Sequence, residues 1–414
     1  MLTASVITMV ALTIVMLASA RNTLFPPVLF CATWTLILLG LLVAGRVLYP
    51  VSDYAYLVFT VGAIAFSVGG LLMLCLMPGL EAGTSYARGP TRFTRTALDL
   101  LLAILVVGFP FYLRIALRIA DTSDGSLVFF AIRQQLVQLD ENPFGPIAGN
   151  LNVLASLVAM AMYYETDGSW GRRWRVVTAA LLAFAYSSLT GSKGGLLFLV
   201  ILFFLAQIRA RRLRIGQGLA LFSVFLAMFA GMLMAVNLAG FSFEDASARA
   251  SEVGTSAASY LLGAPISFGL IAEQPHALES SQDIGRFFVE SARSLGFDAK
   301  PPNVYEHYTM VGPNISNNTY TIYFSYFKDY GWSGMVVLMM TLGTLLTCVW
   351  RRAMSGAPVA VLMYSIMCKG IIQSFYSENF YVALNGLIKS FVFFWLLYTL
   401  LPAIERETAQ PVPA

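Results

Sequence analysis

Two arginines, Arg114 and Arg118, stand four residues apart at the end of an apolar run. On a helix that spacing puts both on one face. Further along, Arg286, Arg293 and Lys300 recur every seven residues, again one helical face if Asp283–Leu295 is helical. A guanidinium binds phosphate through paired hydrogen bonds, and an ammonium acts as a compact point charge. Cations grouped in this way, with Arg133 between the two sets, suit a diphosphate. The plainer use of the same side chains is to reach lipid headgroups or nearby acids. A further cation, Lys193, lies in the turn Leu189-Thr190-Gly191-Ser192-Lys193-Gly194-Gly195, whose small residues permit a close backbone approach. The Walker pattern is absent, so a tight helical hairpin with one snorkelled lysine accounts for it as well.

Proton transfer has its own candidates, Glu306-His307 and Asp329. An acceptor hydroxyl must lose its proton as the new bond forms, and imidazole or carboxylate can take it. Otherwise Asp329 would cap the helix that follows it, and His307 would be a solvated loop residue. Lys369 and Lys389 sit inside the last two apolar runs, with Glu378 in the turn between them. Ionisable groups within a bilayer are costly and point to a cavity or ligand path, unless they pair internally to hold helices together. Asn314 opens a polar and aromatic run that includes Tyr320, Tyr323, Tyr326 and Trp332. Tyrosine and tryptophan concentrate at membrane interfaces, and their faces also stack on sugar rings.

The elements that position these residues are membrane spans. Of 414 residues, 58% are hydrophobic and only 12% charged, with a mean hydropathy of +0.72. A soluble domain carries about 25% charged residues, and long unbroken apolar runs exclude a barrel of short alternating strands. A span needs about 20 apolar residues. Such runs lie near 2–19, 27–45, 55–77, 97–113, 147–164, 175–190, 194–208, 216–238, 332–350, 357–376 and 380–400. The sequence therefore predicts an all-α polytopic membrane protein of about 11 transmembrane helices, in a range of 10–12. It reads as one integral membrane domain over 1–414. The first run ends in Ala18-Ser19-Ala20 but has no Lys or Arg before it, so it reads as a retained helix and not a signal peptide.

Lys and Arg in the connections set the orientation. Arg21, the Arg88–Arg95 and Arg172–Arg175 groups, the Arg209–Arg214 group, Arg351, Arg352 and Arg406 fall in alternate connections. Those connections read as cytoplasmic. The outer side then holds 114–146, the turn at Lys193, the turn at Tyr376–Asn379 and the long stretch 240–331. Within that stretch, 260–272 is apolar but too short to cross. Gly263 and Pro265 break it, so it reads as a re-entrant or interfacial segment. Cys31, Cys75, Cys348 and Cys368 sit in apolar runs without metal-site spacing, and no acidic cluster of metal type stands out. Neither a metal nor another cofactor is expected, and nothing points to nucleic acid.

The run Asn314–Gly334, with its Thr321-Ile322-Tyr323 core and Asp329-Tyr330-Gly331, resembles the signature of bacterial oligosaccharide repeat-unit polymerases of the Wzy type. Thr190–Gly195 is similar to that family's small-residue turn with Ser and a basic residue. Tyr260-Leu261-Leu262-Gly263-Ala264-Pro265-Ile266 is similar to its Tyr-x-x-Gly-x-Pro-Ile segment. Arg114 and Gly125 match an Arg-x10-Gly pattern found in outer loops of some members, whereas Arg286 and Gly296 stand one residue closer. The resemblance implies a GT-C-like glycosyltransferase of the bacterial inner membrane, with its active site facing the periplasm. It would move a growing glycan from undecaprenyl diphosphate onto a new lipid-linked repeat unit. Its partners would be those lipid-linked oligosaccharides, the bilayer and a chain-length regulator. Arg114, Arg118, Arg133, Lys193, Arg286 and Arg293 would hold diphosphates. Glu306, His307 or Asp329 would serve the acceptor hydroxyl. Asn314, Tyr320, Tyr323, Glu378 and Lys389 would contact sugar or acceptor. An O-antigen ligase, which hands the same glycan to a lipid A core, and a polysaccharide-precursor transporter remain the alternatives.

Overall fold

The computed structural model describes residues 1–44, 48–77, 92–121, 149–166, 170–189, 194–211, 213–214, 216–218, 246–272, 282–300, 302, 308–313 and 315–403. Three helices open the chain: α1 (Leu2–Ala20), α2 (Pro26–Ala44) and α3 (Asp53–Leu76). They are followed by α4 (Arg92–Asp121), α5 (Leu151–Glu165), α6 (Trp170–Leu189) and α7 (Gly194–Arg209). Then come α8 (Ala246–Ala272), α9 (Arg286–Ser294), the strands β1 (Thr309–Gly312) and β2 (Ile315–Asn317), and α10 (Ile322–Met354). The last two helices are α11 (Pro358–Ile372) and α12 (Leu384–Trp395). Seven of the described helices are long and apolar enough to cross a bilayer, and three shorter apolar ones lie at Leu151–Glu165, Leu197–Arg209 and Ala257–Ala272. The protein is a mostly helical, polytopic, membrane-embedded chain. Most of the run at 216–238 lies outside the described residues.

The centre of the bundle is the crossing of α3 and α10, and small residues make it. A Cβ added to Gly69 would sit 1.9 Å from the carbonyl oxygen of Met340, and one added to Gly343 would sit 2.0 Å from that of Phe66. The two backbones touch where a side chain cannot fit, a way for helices to associate where lipid removes the hydrophobic driving force. Thr344 seals the contact by donating from Oγ1 to the Gly69 carbonyl at 3.1 Å. Toward one end, an aromatic cluster of Phe30, Trp34, Phe59 and Tyr323 fills the space, with Phe59 and Tyr323 rings stacked 5.5 Å apart. The Trp34 indole donates to Ser374 Oγ at 3.0 Å, so its polar edge is satisfied inside the core.

Three features depart from the sequence reading. Helix α10 starts at Ile322, ten residues before the expected apolar run at 332. Its first segment, Ile322–Phe327, is buried throughout, so it is core and not span. Gly331 (φ 63°, ψ −155°) separates this segment from the apolar remainder, in a conformation open to glycine alone. Second, 260–272 is not broken: Gly263 and Pro265 lie inside continuous α8. Burial of Ala264, Ile266 and Phe268 outweighs the single hydrogen bond a proline removes. Third, the otherwise helical chain carries a two-stranded antiparallel hairpin, β1–β2, in the long stretch. Asn317 Nδ2 on the hairpin donates to Ser267 Oγ of α8 at 2.9 Å.

Contacts between connections sort them to two ends of the bundle. At one end, Arg351 donates to the Leu74 carbonyl at 2.7 Å, Thr94 to Leu397 at 3.1 Å, and Arg209 to Tyr163 at 2.8 Å. Asn22 reaches Met354, and the Leu213 N–H reaches Thr23. At the other end, the Met1 amino group pairs with Asp53 at 3.4 Å, the Tyr49 N–H donates to Val311 at 2.9 Å, and Trp332 Nε1 donates to Tyr54 OH at 2.8 Å. The described arginines of the dense clusters all belong to the first end. The hairpin, α9 and the turn at 376–383 belong to the second.

Candidate functional site

At the second end, α9 lies across the start of α12 and leaves an open cleft of about 430 Å³. Glu290, Ser291, Ser294 and Leu295 line it from α9, and Asn385 and Lys389 from α12. Positions 286, 290 and 293 share one side of the helix. Glu290 Oε1 accepts from Arg286 Nε at 2.7 Å, and its Oε2 accepts from Asn385 Nδ2 at 3.3 Å. The carboxylate is therefore fixed between two elements while remaining partly exposed to the cleft. Lys389 is exposed and donates to Asn150 Oδ1 at 3.2 Å, at the start of α5. Arg293, in the last turn of α9, is exposed. The cleft thus offers one carboxylate and one ammonium, those of Glu290 and Lys389, to a ligand that arrives at the end of a candidate span.

What holds α9 there is a buried ion pair. Lys328 Nζ lies 2.7 Å from Asp283 Oδ2, with the two side chains 6% and 0% exposed. Ser325 Oγ donates to the same carboxylate oxygen at 3.2 Å, and the ammonium also sits 4.9 Å from the Phe324 ring centre. Next to it, Asp329 Oδ2 accepts from the Ile284 N–H at 2.9 Å. The turn that leads into α9 is thereby tied to the buried first segment of α10. The helix ends by a different device. Gly296 (φ 92°) lets its own N–H reach Arg293 and the Phe297 N–H reach Ala292, at 3.0 and 3.1 Å. That is the double bond pattern of a glycine-terminated helix, so Gly296 is where it is because α9 stops there.

The expected site residues divide into three groups. Lys389 lines the cleft, Arg286 holds the Glu290 that also lines it, and Arg293 shares the side of α9 that carries Arg286 and Glu290. Arg114 and Arg118 are exposed in the last turns of α4, at the same end of the bundle, and make no ion pair among the described residues. Arg133, Lys193, Glu306, His307 and Asn314 lie outside the described residues.

The remaining candidates have structural partners. Tyr323 is fully buried and donates to the Phe59 carbonyl at 3.1 Å, so a sugar contact does not fit it. Tyr320 is also buried; its OH shares a hydrogen bond with Thr309 at 2.9 Å and its ring stacks 4.1 Å from Phe324. Burial raises its phenol's pKa, and the Thr309 bond opposes the rise. Asp329 does not begin the following helix. It lies between that buried first segment of α10 and the break at Gly331, and anchors the turn before α9. Glu378 is buried and takes four hydrogen bonds: from Tyr326 OH at 2.7 Å, Phe380 N–H and Tyr381 N–H at 2.9 Å each, and Val382 N–H at 2.7 Å. It organises the turn between α11 and α12. Burial pushes its carboxyl pKa up, and these four bonds pull it back. Close to that carboxylate, burial and the Glu378 charge lift the Tyr381 phenol to about 12. Lys369 does not pair with Glu378; its ammonium reaches Asn379 Oδ1 at 3.5 Å.

Sequence reasoning did not single out Glu290, Asn385, Asn150 or the Asp283–Lys328 pair. Glu290 carried a signal, the four-residue spacing from Arg286 on a short amphipathic helix. The other partners meet across 40 to 240 residues of chain, which no local pattern reveals. No protein-family model, curated protein or solved structure matches the chain.

Proposed function

We propose that this chain is a membrane glycosyltransferase that polymerises lipid-linked oligosaccharide repeat units at the periplasmic face of the bacterial inner membrane. The observation that carries this reading is the cleft between α9 and α12. A lysine within a candidate span and a fixed carboxylate face one open space at the end of the bundle opposite the arginine clusters. An anionic group on a membrane-anchored carrier suits such a place. The run Asn314–Gly334 resembles that of repeat-unit polymerases and favours this reaction among those using the same carrier.

In the proposed reaction, an acceptor sugar hydroxyl of one lipid-linked repeat attacks the anomeric carbon of the donor glycan. The carbon–oxygen bond to undecaprenyl diphosphate breaks as the glycosidic bond forms. Lys389 and Arg293 would neutralise charge gathering on the departing diphosphate, the largest contribution such a site can make. The hydroxyl proton passes to a carboxylate or imidazole. Glu290, already aligned by Arg286 and Asn385, joins Glu306 and His307 as a candidate for that role. Arg114 and Arg118 would supply further positive charge at the same end, and Arg133 and Lys193 are expected from the sequence to join them.

Purified protein in lipid, mixed with an undecaprenyl-diphosphate-linked repeat unit, tests the proposal. A ladder of glycan lengths supports it. A product on added lipid A core identifies a ligase, and the absence of any covalent product points to transport.

A further inference from the structure

The side of α9 turned away from the charged row is apolar and bare. Phe288 and Leu295, seven residues apart, are 67% and 80% exposed, with Leu295 where the stripe meets the rim of the cleft, and Phe297 is 65% exposed. The glycine turn at Gly296 folds Phe297 back toward Ala292, so it extends the same stripe. The short helix and its glycine turn thus carry a charged row, Arg286, Glu290 and Arg293, and an apolar stripe on opposite sides.

The height of α9 identifies what meets that stripe. Asn385 is the second residue of the candidate span Leu384–Ala403, and it bonds Glu290 in the middle of α9. Lys389, one turn deeper, lines the same cleft. Helix α9 therefore crosses the end of a span, where hydrocarbon gives way to headgroups. Beside it, α12 turns Ile388, Phe391 and Val392 outward, as a span facing lipid does. Arg293, on the charged side, and Lys300, beyond the glycine turn, are exposed, and basic side chains on an interfacial helix pair with lipid phosphates.

We propose that α9 is an interfacial helix, with Phe288, Leu295 and Phe297 inserted at the acyl–headgroup boundary of the phospholipid bilayer. Anchored in this way, it holds the cleft at the height of lipid phosphates. The inference needs only that α12 spans the membrane, and it stands or falls separately from the glycosyl-transfer reading.

Spin labels at single cysteines test it in phospholipid nanodiscs. Cys75→Ala and Cys348→Ala remove the two native thiols that are not fully buried; Cys31 and Cys368 are buried. Labels are then placed by Phe288→Cys, Leu295→Cys and Phe297→Cys, with Arg293→Cys as the comparison. The expected result is that the first three collide several-fold more with oxygen than with a water-soluble nickel complex, and that Arg293→Cys shows the reverse. These positions are exposed, so labelling them leaves the fold intact; Phe297 lies outside the helix and gives an independent reading. Greater nickel than oxygen access at all three apolar positions would place the stripe in water and overturn the proposal. Labels shielded from both reagents would mean that protein covers the stripe, which also overturns it, and a short label-to-label distance at Leu295→Cys would identify that protein as a second copy.

Discussion

Lys389 and Glu290 make the most exposed claims at the residue scale. If Lys389 offsets charge on a departing diphosphate, Lys389→Ala should slow polymer formation by about 100-fold or more while the protein folds normally. Gel analysis of lipid-linked glycans should then show single repeats accumulating. Glu290→Gln keeps the side chain's shape and its bond from Asn385 but removes the base. A fall of about 100-fold in turnover is expected if Glu290 accepts the proton; undiminished turnover would return the role to Glu306 or His307.

Glu378→Gln should act on stability instead. Its amide would confront donors that now meet oxygen, at a cost of about 1–3 kcal/mol. Because the folded carboxyl's pKa lies above its ordinary value, its contribution to stability is full below the ordinary value and falls as pH rises through the raised one. Melting curves of the wild type should show that decline, and those of the Gln variant should not. Lys389 stood out in the sequence as a charge inside an apolar run, and it lines the cleft. Glu378 stood out equally and proved to be a turn organiser, since sequence shows a charge but not the four donors around it.

Among elements, a buried ion pair leads the ties that hold α9, and one close crossing joins α3 to α10. Removing one partner of a buried ion pair leaves the other unpaired, at a cost of about 3–5 kcal/mol. Asp283→Ala should therefore loosen α9 locally. Hydrogen exchange should rise over 282–297 while the protection of α3 and α10 is kept. Gly69→Val tests the crossing: its Cβ would enter the Met340 carbonyl, and overpacking of this kind costs about 1–3 kcal/mol or more. Size-exclusion profiles should show a less stable or aggregated protein.

Seven of the eleven expected runs match described helices long and apolar enough to cross a bilayer, because each long apolar run must find lipid or core. The start of α10 was not, because Ile322–Phe327 is aromatic and polar in composition yet fully packed. The unbroken course of α8 through Pro265 was hidden for a related reason. Burial of its neighbours decided the outcome, and burial comes from α3 and the hairpin, far away in sequence.

For the whole molecule, alternation of arginine-bearing connections anticipated the two ends that the hydrogen bonds and ion pairs now define. Orientation in the membrane follows if the arginine end is cytoplasmic. A reporter enzyme active only in the periplasm, fused after Gly296, should work, whereas the same fusion after Ser355 should be silent. What the sequence could not supply was the cleft, because its two walls are separated by the hairpin and both α10 and α11. The proposed activity rests on what binds there. The most direct measurement is a structure of the protein in lipid with undecaprenyl diphosphate bound. The diphosphate is expected within hydrogen-bonding reach of Lys389 Nζ, in the cleft that Glu290 also lines. A diphosphate seated elsewhere, with the α9–α12 cleft empty, would contradict it.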